Sequence, residues 1–559
     1  MRKFCLVWPL FLALNVLCFS EAKIYPYRWV YIADNLKDNM QVKDVERKIK
    51  TAAAGGLNGV VFSGGLDRLS GKDVDYFDRL RTIKNTCEEF KTEIIPVIFS
   101  VGNSSDLGRN KNLAEGLPVK DSLFTVKENI AVLTPDFPVK IENGGFEDYK
   151  DNTLSGYNFC DQPGEVSIVD TKVFYRGKAS LRFQMFRTNP YGNGRITQEV
   201  KVKQNRLYRL SLMLKTDKLE PADSFKLQVF TLKGKALAPV ELKIKSTQDW
   251  KKTVIGFNSG ENEIVKVCAG VWGGKYGRFW LDDWELEELG PVNILRRPGT
   301  PLTVKGEAAG IIYEEGKDFE PVFDPLLNFR FEHEAPLLRI PAGSRIQNGE
   351  KLRVSYYHGI AITDGRVVSC MSEPELYETW KSEFELLHKT LGANKYVLGM
   401  EEIRMGGTCG RCKDRKISMA EILGDSITKA CAIIKGINPN AEIFVWSDMF
   451  DPNHNAHDNY LLVDGDFSGS WNYIPRDLGI ICWYYKGREA CLKHFDTLGF
   501  KILAGAYNDS ISLDSTKEWL KSLDKTKGAA GVIYVTRENR YEFLTGFGRL
   551  VSGKKEQNN

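Results

Sequence analysis

YVLGMEEIR occupies residues 396–404. Tyr396–Met400 is a short apolar run, which predicts a buried strand. It ends in two adjacent carboxylates, Glu401 and Glu402, followed by Arg404 and the turn Gly406–Gly407. A strand that passes from apolar residues to paired acids in one step leaves a core for something wet and reactive. In a barrel of parallel strands, that end carries the catalytic groups. An isolated Glu-Glu pair more often opens a solvated loop, so the surrounding chain has to decide between the two.

Around this stretch the chain alternates strand and helix. Glu373–Leu391 reads as a helix entered through Ser372, with Pro374 in its first turn, and Ser418–Lys435 as another. Ala441–Asp448, Leu478–Tyr485, Lys501–Tyr507 and Gly531–Thr536 read as strands with helices between them, and a helix over Tyr541–Val551 closes the chain. The N-terminal part has the same rhythm: strands at Tyr27–Ala33, Asn58–Ser63 and Glu93–Ser100, helices at Val42–Ala54 and Asp73–Phe90. This alternation implies parallel strands with right-handed crossovers. Three strands before an interruption and five after it predict an α/β fold, a (β/α)8 TIM barrel in two parts, residues 23–136 and 359–559.

Residues 137–290 carry β patterning only. Ile141–Asp148, Gly177–Gln184, Ile196–Val202, Leu207–Lys215 and Phe279–Leu286 are short runs between turn residues, which predicts an inserted β-sandwich. NGGFED, GKASLRF, the pair ITQEVKV and LYRLSLMLKT, and the closing WLDD resemble the jelly-roll carbohydrate-binding modules of families 4 and 9. That resemblance makes Trp272 and Tyr276 candidates for stacking on sugar, or leaves the module a spacer. Residues 291–358 read as a second, small β domain that braces the fold.

A chain of 559 residues is too long for one core. Its 77 basic and 73 acidic residues leave a formal charge of +4, which argues against nucleic acid as a partner. Arg2 and Lys3, the apolar stretch Cys5–Phe19 and Ser20-Glu21-Ala22 read as an export signal over residues 1–22, so the mature protein is expected outside the cytoplasm, periplasmic or extracellular. No later stretch is long and apolar enough to span a bilayer. Cys409 and Cys412 form the one close cysteine pair. Without a second pair at matched spacing they point to a local disulfide or to free thiols bracing a loop. No metal and no cofactor is expected.

Alternation along Ala441–Asp448 puts Ile443 and Val445 toward the helices and Phe444, Trp446 and Asp448 toward the barrel axis. The same parity separates Glu401 from Leu398, Met400 and Glu402, so the chain has to turn for both acids to reach one pocket. Trp483, Tyr507 and Tyr534 fall near the mouth ends of their strands. Asp451, Asn453 and His454 either contact sugar hydroxyls or cap a loop. Carboxylates within aromatic walls suit a pyranose ring, whose C–H faces stack while its hydroxyls seek acids.

LGMEEIR, FVWSDMFDP, the CWYY strand and AGAYND resemble glycoside hydrolase family 20, the β-N-acetylhexosaminidase type. The resemblance implies a hydrolase acting on a β-linked, N-acetylated sugar of an oligo- or polysaccharide. It makes Glu402 the general acid/base and places Glu401 where the family orients the substrate acetamide, a substrate-assisted route. Trp446, Asp448, Trp483, Tyr507, Tyr534 and Arg404 then bind substrate or support the pair. Glu401 stands where the family has Asp, one methylene longer. Two alternatives stay open: a glycosidase in which Glu402 works with Asp448 or Glu401, and a glycan-binding protein without catalysis.

Overall fold

The computed structural model describes residues 24–553, except 105, 106, 108, 109 and 459. The expected export signal lies outside the described residues. Eight parallel strands close a barrel in chain order: Tyr27–Ala33, Gly59–Ser63, Glu93–Ile98, Lys395–Leu398, Glu442–Trp446, Gly479–Cys482, Lys501–Tyr507 and Ala529–Val535. Helices over Asn39–Gly55, Val74–Glu89, Pro374–Leu391, Met419–Ile437, Arg488–Thr497, Asp514–Leu523 and Leu544–Ser552 accompany them. Their ends follow local chemistry. Asp38 accepts from the backbone of Met40 and Gln41, and Ser418 forms a reciprocal capping box with Glu421.

The connection between strands five and six departs from expectation. Residues 447–478 hold two short 3-10 turns and the strand Leu462–Val463, with no α-helix among the described residues.

Alternation sorts the strand residues into two cores. Trp29, Val61, Ile95, Val397, Phe444, Trp446, Ile481, Leu503 and Ile533 form one buried cluster inside the ring. Ile32, Val60, Leu398, Ile443, Val445 and Ile480 belong to the larger core shared with the helices. The interior is packed by rings, with Trp29 and Phe444 edge to face at 4.9 Å. Gly59 is small for this reason, since a Cβ there would lie 2.4 Å from the Trp29 ring. At the opposite end from the mouth, Lys395 pairs with Glu93 at 2.7 Å and Lys501 with Glu442 at 2.6 Å.

Between strands three and four the chain forms three antiparallel sheets. Five strands (Gln248–Asn258, Leu207–Glu220, Tyr276–Glu288, Ser180–Phe183, Ser167–Asp170) and four (Phe225–Thr231, Ile264–Val271, Gly194–Lys201, Phe159–Cys160) share one apolar core. Ile141–Asp148, expected as a strand, is a turn instead. Asn143 has a left-handed φ of 54°, and its side chain bonds the backbone of Asp148 and Ser155. The third sheet has six strands and draws on both flanks of the insertion. Lys351–His358 pairs with Leu117–Lys127, and Leu338–Arg339 with Ile130–Leu133. Residues 117–133, expected within the first barrel part (23–136), therefore lie in the sheet built with residues 303–358. Their partners are far away in the sequence, which local patterning does not reveal. No helix among the described residues is long and apolar enough to cross a membrane.

Candidate active site

The fourth strand leaves its ladder at Leu398. Val397 faces the barrel interior while Leu398 and Met400 face outward. Glu401 continues the parity of Val397 and points inward. Glu402 breaks the alternation where the chain turns: it has φ of 53°, in the left-handed region, and its carboxylate meets Arg366, which lines the same cleft as Glu401. The loop after strand three presses on this turn. Val101 N–H donates to Gly399 O at 2.9 Å, and a Cβ on Gly102 would stand 2.2 Å from Glu401 O, so only glycine fits.

The two acids have unequal surroundings. Glu402 forms ion pairs with Arg366 at 2.9 Å and Arg404 at 2.8 Å. Glu401 accepts a hydrogen bond from Asn103 at 3.2 Å, and its Oε2 finds no partner among the described residues. Burial pushes the Glu401 carboxyl up to about 8, with the charges of Asp448 and Glu402 adding to the effect. Glu401 lines a cleft of about 410 Å³ with Tyr31, Ser63, Asp67, Val97, Arg366 and Trp380.

Asp448 is fully buried just past strand five. Its Oδ2 accepts from Glu402 N–H at 2.8 Å and Asn455 Nδ2 at 3.1 Å, and its Oδ1 from Trp483 Nε1 at 3.3 Å. Burial lifts its carboxyl to about 6, against the pull of these donors. Trp446 is buried in the barrel interior with its ring 6.0 Å from that of Tyr31. Trp483 and Tyr507 lie 5.9 Å apart, and the Arg537 guanidinium covers both rings. The phenols of Tyr31 and Tyr507 both feel the charge of Glu401, so strands one, four and seven converge on one mouth.

Tyr534 does not join them. It packs against Phe547 in the outer core and donates to Arg540 O, because Ile533 and Val535 take the inward positions of strand eight. Asp451 caps its own loop through Asn453, and His454 stacks on Tyr484 with centroids 4.6 Å apart. In the inserted sheets Tyr276 is exposed and Trp272 is half-buried under the Arg195 guanidinium.

Tyr31, Asp67, Asn103 and Arg366 are cleft residues that the sequence reading passed over. Tyr31 was within reach, since YRWVYIA alternates Tyr27, Trp29 and Tyr31 on one face. Asp67 accepts from the backbone of Phe99 at 2.6 Å and Ser100 at 3.3 Å, which shapes the cleft wall, and no local motif marks it. Nor does any local motif mark Asn103 or Arg366. Cys409 and Cys412 are free thiols, and Cys370 and Glu115 join them in a buried group able to hold a metal ion.

No family model matches the chain, and neither does any curated protein. Solved structures with partial likeness include a CBM4 structure, at TM-score 0.19 and 12% identity, covering 26% of this chain and 99% of that one. The CBM22-1 xylan-binding domain of Paenibacillus barcinonensis Xyn10C aligns at TM-score 0.20 and 15% identity, over 27% of this chain and 94% of that one. A rhamnosidase from Novosphingobium sp. PP1Y aligns over 92% of this chain and 55% of that one, at TM-score 0.32 and 10% identity. Alignments this loose bear on neither activity nor substrate, which rest on the side chains at the barrel mouth.

Proposed function

We propose that this chain is a glycoside hydrolase in which Glu401 is the proton donor and Glu402 the anionic partner. One observation carries the reading: two adjacent carboxyls stand at one barrel mouth, one held by two guanidiniums and the other half-buried with an oxygen that has no partner among the described residues. Environments that push neighbouring acids apart are how one site holds an acid and an anion at the same pH. The family resemblance put the proton on Glu402. The ion pairs with Arg366 and Arg404 favour the reverse, because they occupy the Glu402 carboxylate while Oε2 of Glu401 has no partner among the described residues.

In this mechanism Glu401 protonates the glycosidic oxygen. The C1–O bond breaks with its electron pair going to the departing oxygen. The acetamide carbonyl of an N-acetylated sugar closes on C1, oriented by Glu402, and water opens the ring with Glu401 as base. Asp448 is too covered to reach a substrate atom and acts by positioning. Trp483 and Tyr507 offer rings for a pyranose once Arg537 shares or yields their faces. An exported chain and glycan binding by the inserted sheets through Trp272 and Tyr276 belong to the same proposal.

The test is a panel of aryl glycosides, including N-acetyl-β-hexosaminides, assayed with the wild type and Glu401→Gln. Turnover of an N-acetylated member, blocked by a thiazoline mimic of the cyclised intermediate, is the expected result. Turnover that thiazoline leaves untouched would move the second role to a protein carboxylate. Hydrolysis undiminished in Glu401→Gln would sink the proposal, and glycan binding without turnover would leave a capture protein.

A further inference from the structure

We propose that Cys370, Cys409, Cys412 and Glu115 bind one Zn2+ that ties the loop following the catalytic pair to the start of the six-stranded sheet. The four residues come from three distant segments. Glu115 precedes the strand Leu117–Lys127, Cys370 precedes the helix Pro374–Leu391, and Cys409 and Cys412 flank the start of the short helix Gly410–Asp414. All four are buried, and their donor atoms lie within 4.8 Å of one another.

The distances have the scale of a coordination shell. Cys370 Sγ is 3.5 Å from Cys409 Sγ and 3.6 Å from Cys412 Sγ, and Cys412 Sγ is 3.5 Å from Glu115 Oε2. A tetrahedral zinc has Zn–S bonds of about 2.3 Å, which puts sulfurs about 3.8 Å apart and a sulfur and a carboxylate oxygen about 3.6 Å apart. A disulfide needs sulfurs at about 2.0 Å.

The surrounding bonds orient the donors. Glu115 Oε1 is taken up by Thr408 N–H, Thr408 Oγ1 and Cys409 N–H at 2.9, 3.0 and 2.8 Å, which leaves Oε2 turned to the thiols. Such outer bonds are what holds a ligating carboxylate in place. Three thiolates and a carboxylate exceed the charge of Zn2+, and Arg297 stands beside them, paired with the buried Glu373 that Arg411 shares, so that one net positive charge is left against the surplus. Its guanidinium is fixed by Asn112 O at 2.7 Å and Ala114 O at 2.8 Å, and feels the charges of Cys370, Cys409 and Glu115. Binding releases the thiol protons, and the soft donor set selects zinc over magnesium or calcium.

The test uses the full chain, purified without chelator from zinc-supplemented medium. Elemental analysis is expected to give about one zinc per chain, with most of it lost in Cys370→Ser and Cys412→Ser. Glu115→Gln is expected to keep the fold and bind zinc more weakly against a chromogenic chelator. Should the cysteine variants fail to fold, the wild type decides alone. Stripped chain given Co2+ should develop the visible bands of a tetrahedral thiolate site, and zinc should shield the three thiols from alkylation. A zinc-free wild type with no cobalt–thiolate bands overturns the proposal, as does an intact mass lighter by the two hydrogens of a disulfide.

Discussion

The backbone N–H of Glu402 donates to Oδ2 of Asp448 at 2.8 Å, so the turn at Glu402 is held by an acid just past the fifth strand. Asp448 also receives Asn455 and Trp483, and it is fully buried. Asp448→Ala leaves these donors without an acceptor, at about 1–3 kcal/mol for each one that stays buried and unpaired. We expect a loss of that order in urea unfolding and a drop in kcat, with Asp448→Asn milder. An alanine variant as stable as the wild type would show that the turn holds itself.

The two acids should fail differently. Glu401→Gln removes the proton donor at constant size, and losses for such groups are about 10²–10⁴-fold. The loss should shrink for a nitrophenyl substrate, whose leaving oxygen needs little protonation. Glu402→Gln should slow activated and natural substrates alike. The ratio of the two turnovers in each variant is the measurement, and the opposite pattern returns the proton to Glu402.

Arg366 and Arg404 share one carboxylate, so their effects should not add. Both pairs are partly shielded from solvent. Arg366→Met and Arg404→Met should each leave Glu402 with one cation. The double variant should lose more activity than the product of the single losses, by a coupling of about 0.5–3 kcal/mol. Independent effects in the cycle would mean that only one guanidinium matters.

The barrel was legible because its strands obey two simple periods. Alternation placed Phe444 and Trp446 inward and Ile443 and Val445 outward, as in the structure. Tyr534 was placed by its position near a strand end and not by alternation, and it faces outward because strand eight runs Ala529–Val535 with Ile533 and Val535 inside. Alternation also stops being informative where a strand ends. The direction of Glu402 depends on one left-handed φ and on Asp448, neither of which is a property of the local sequence. Glu115 and Cys370 were invisible beside Cys409 for a related reason, since only the closed fold brings the three segments together.

Glu401 should cost stability as pH rises. Its folded carboxyl sits at about 8 against an ordinary 4.5. Between those values the folded chain retains a proton that the unfolded chain has released, so stability falls with rising pH across the window. Glu401→Gln removes that slope. Its Tm should exceed the wild type's by more at about pH 8 than at about pH 5, a gain on the order of 2 kcal/mol after allowing for the open side of the cleft. Parallel Tm curves for the two proteins would mean that Glu401 titrates in the ordinary range.

Activity on unactivated substrates should be bell-shaped, with one limb near 6 and the other near 8. Above about 8 Glu401 loses its proton and can no longer serve as the acid. Below about 6 Asp448 gains one, and the neutral carboxyl holds Glu402 N–H and Trp483 more weakly. The two acids are linked, because the charge of Asp448 is part of what raises Glu401. Asp448→Asn should therefore do two things at once in a kcat/KM profile. It should abolish the acidic limb, and it should move the basic limb to lower pH, since the neighbouring charge is gone. A basic limb that stays in place would mean that burial alone raises Glu401, and an acidic limb that survives would assign it to another group.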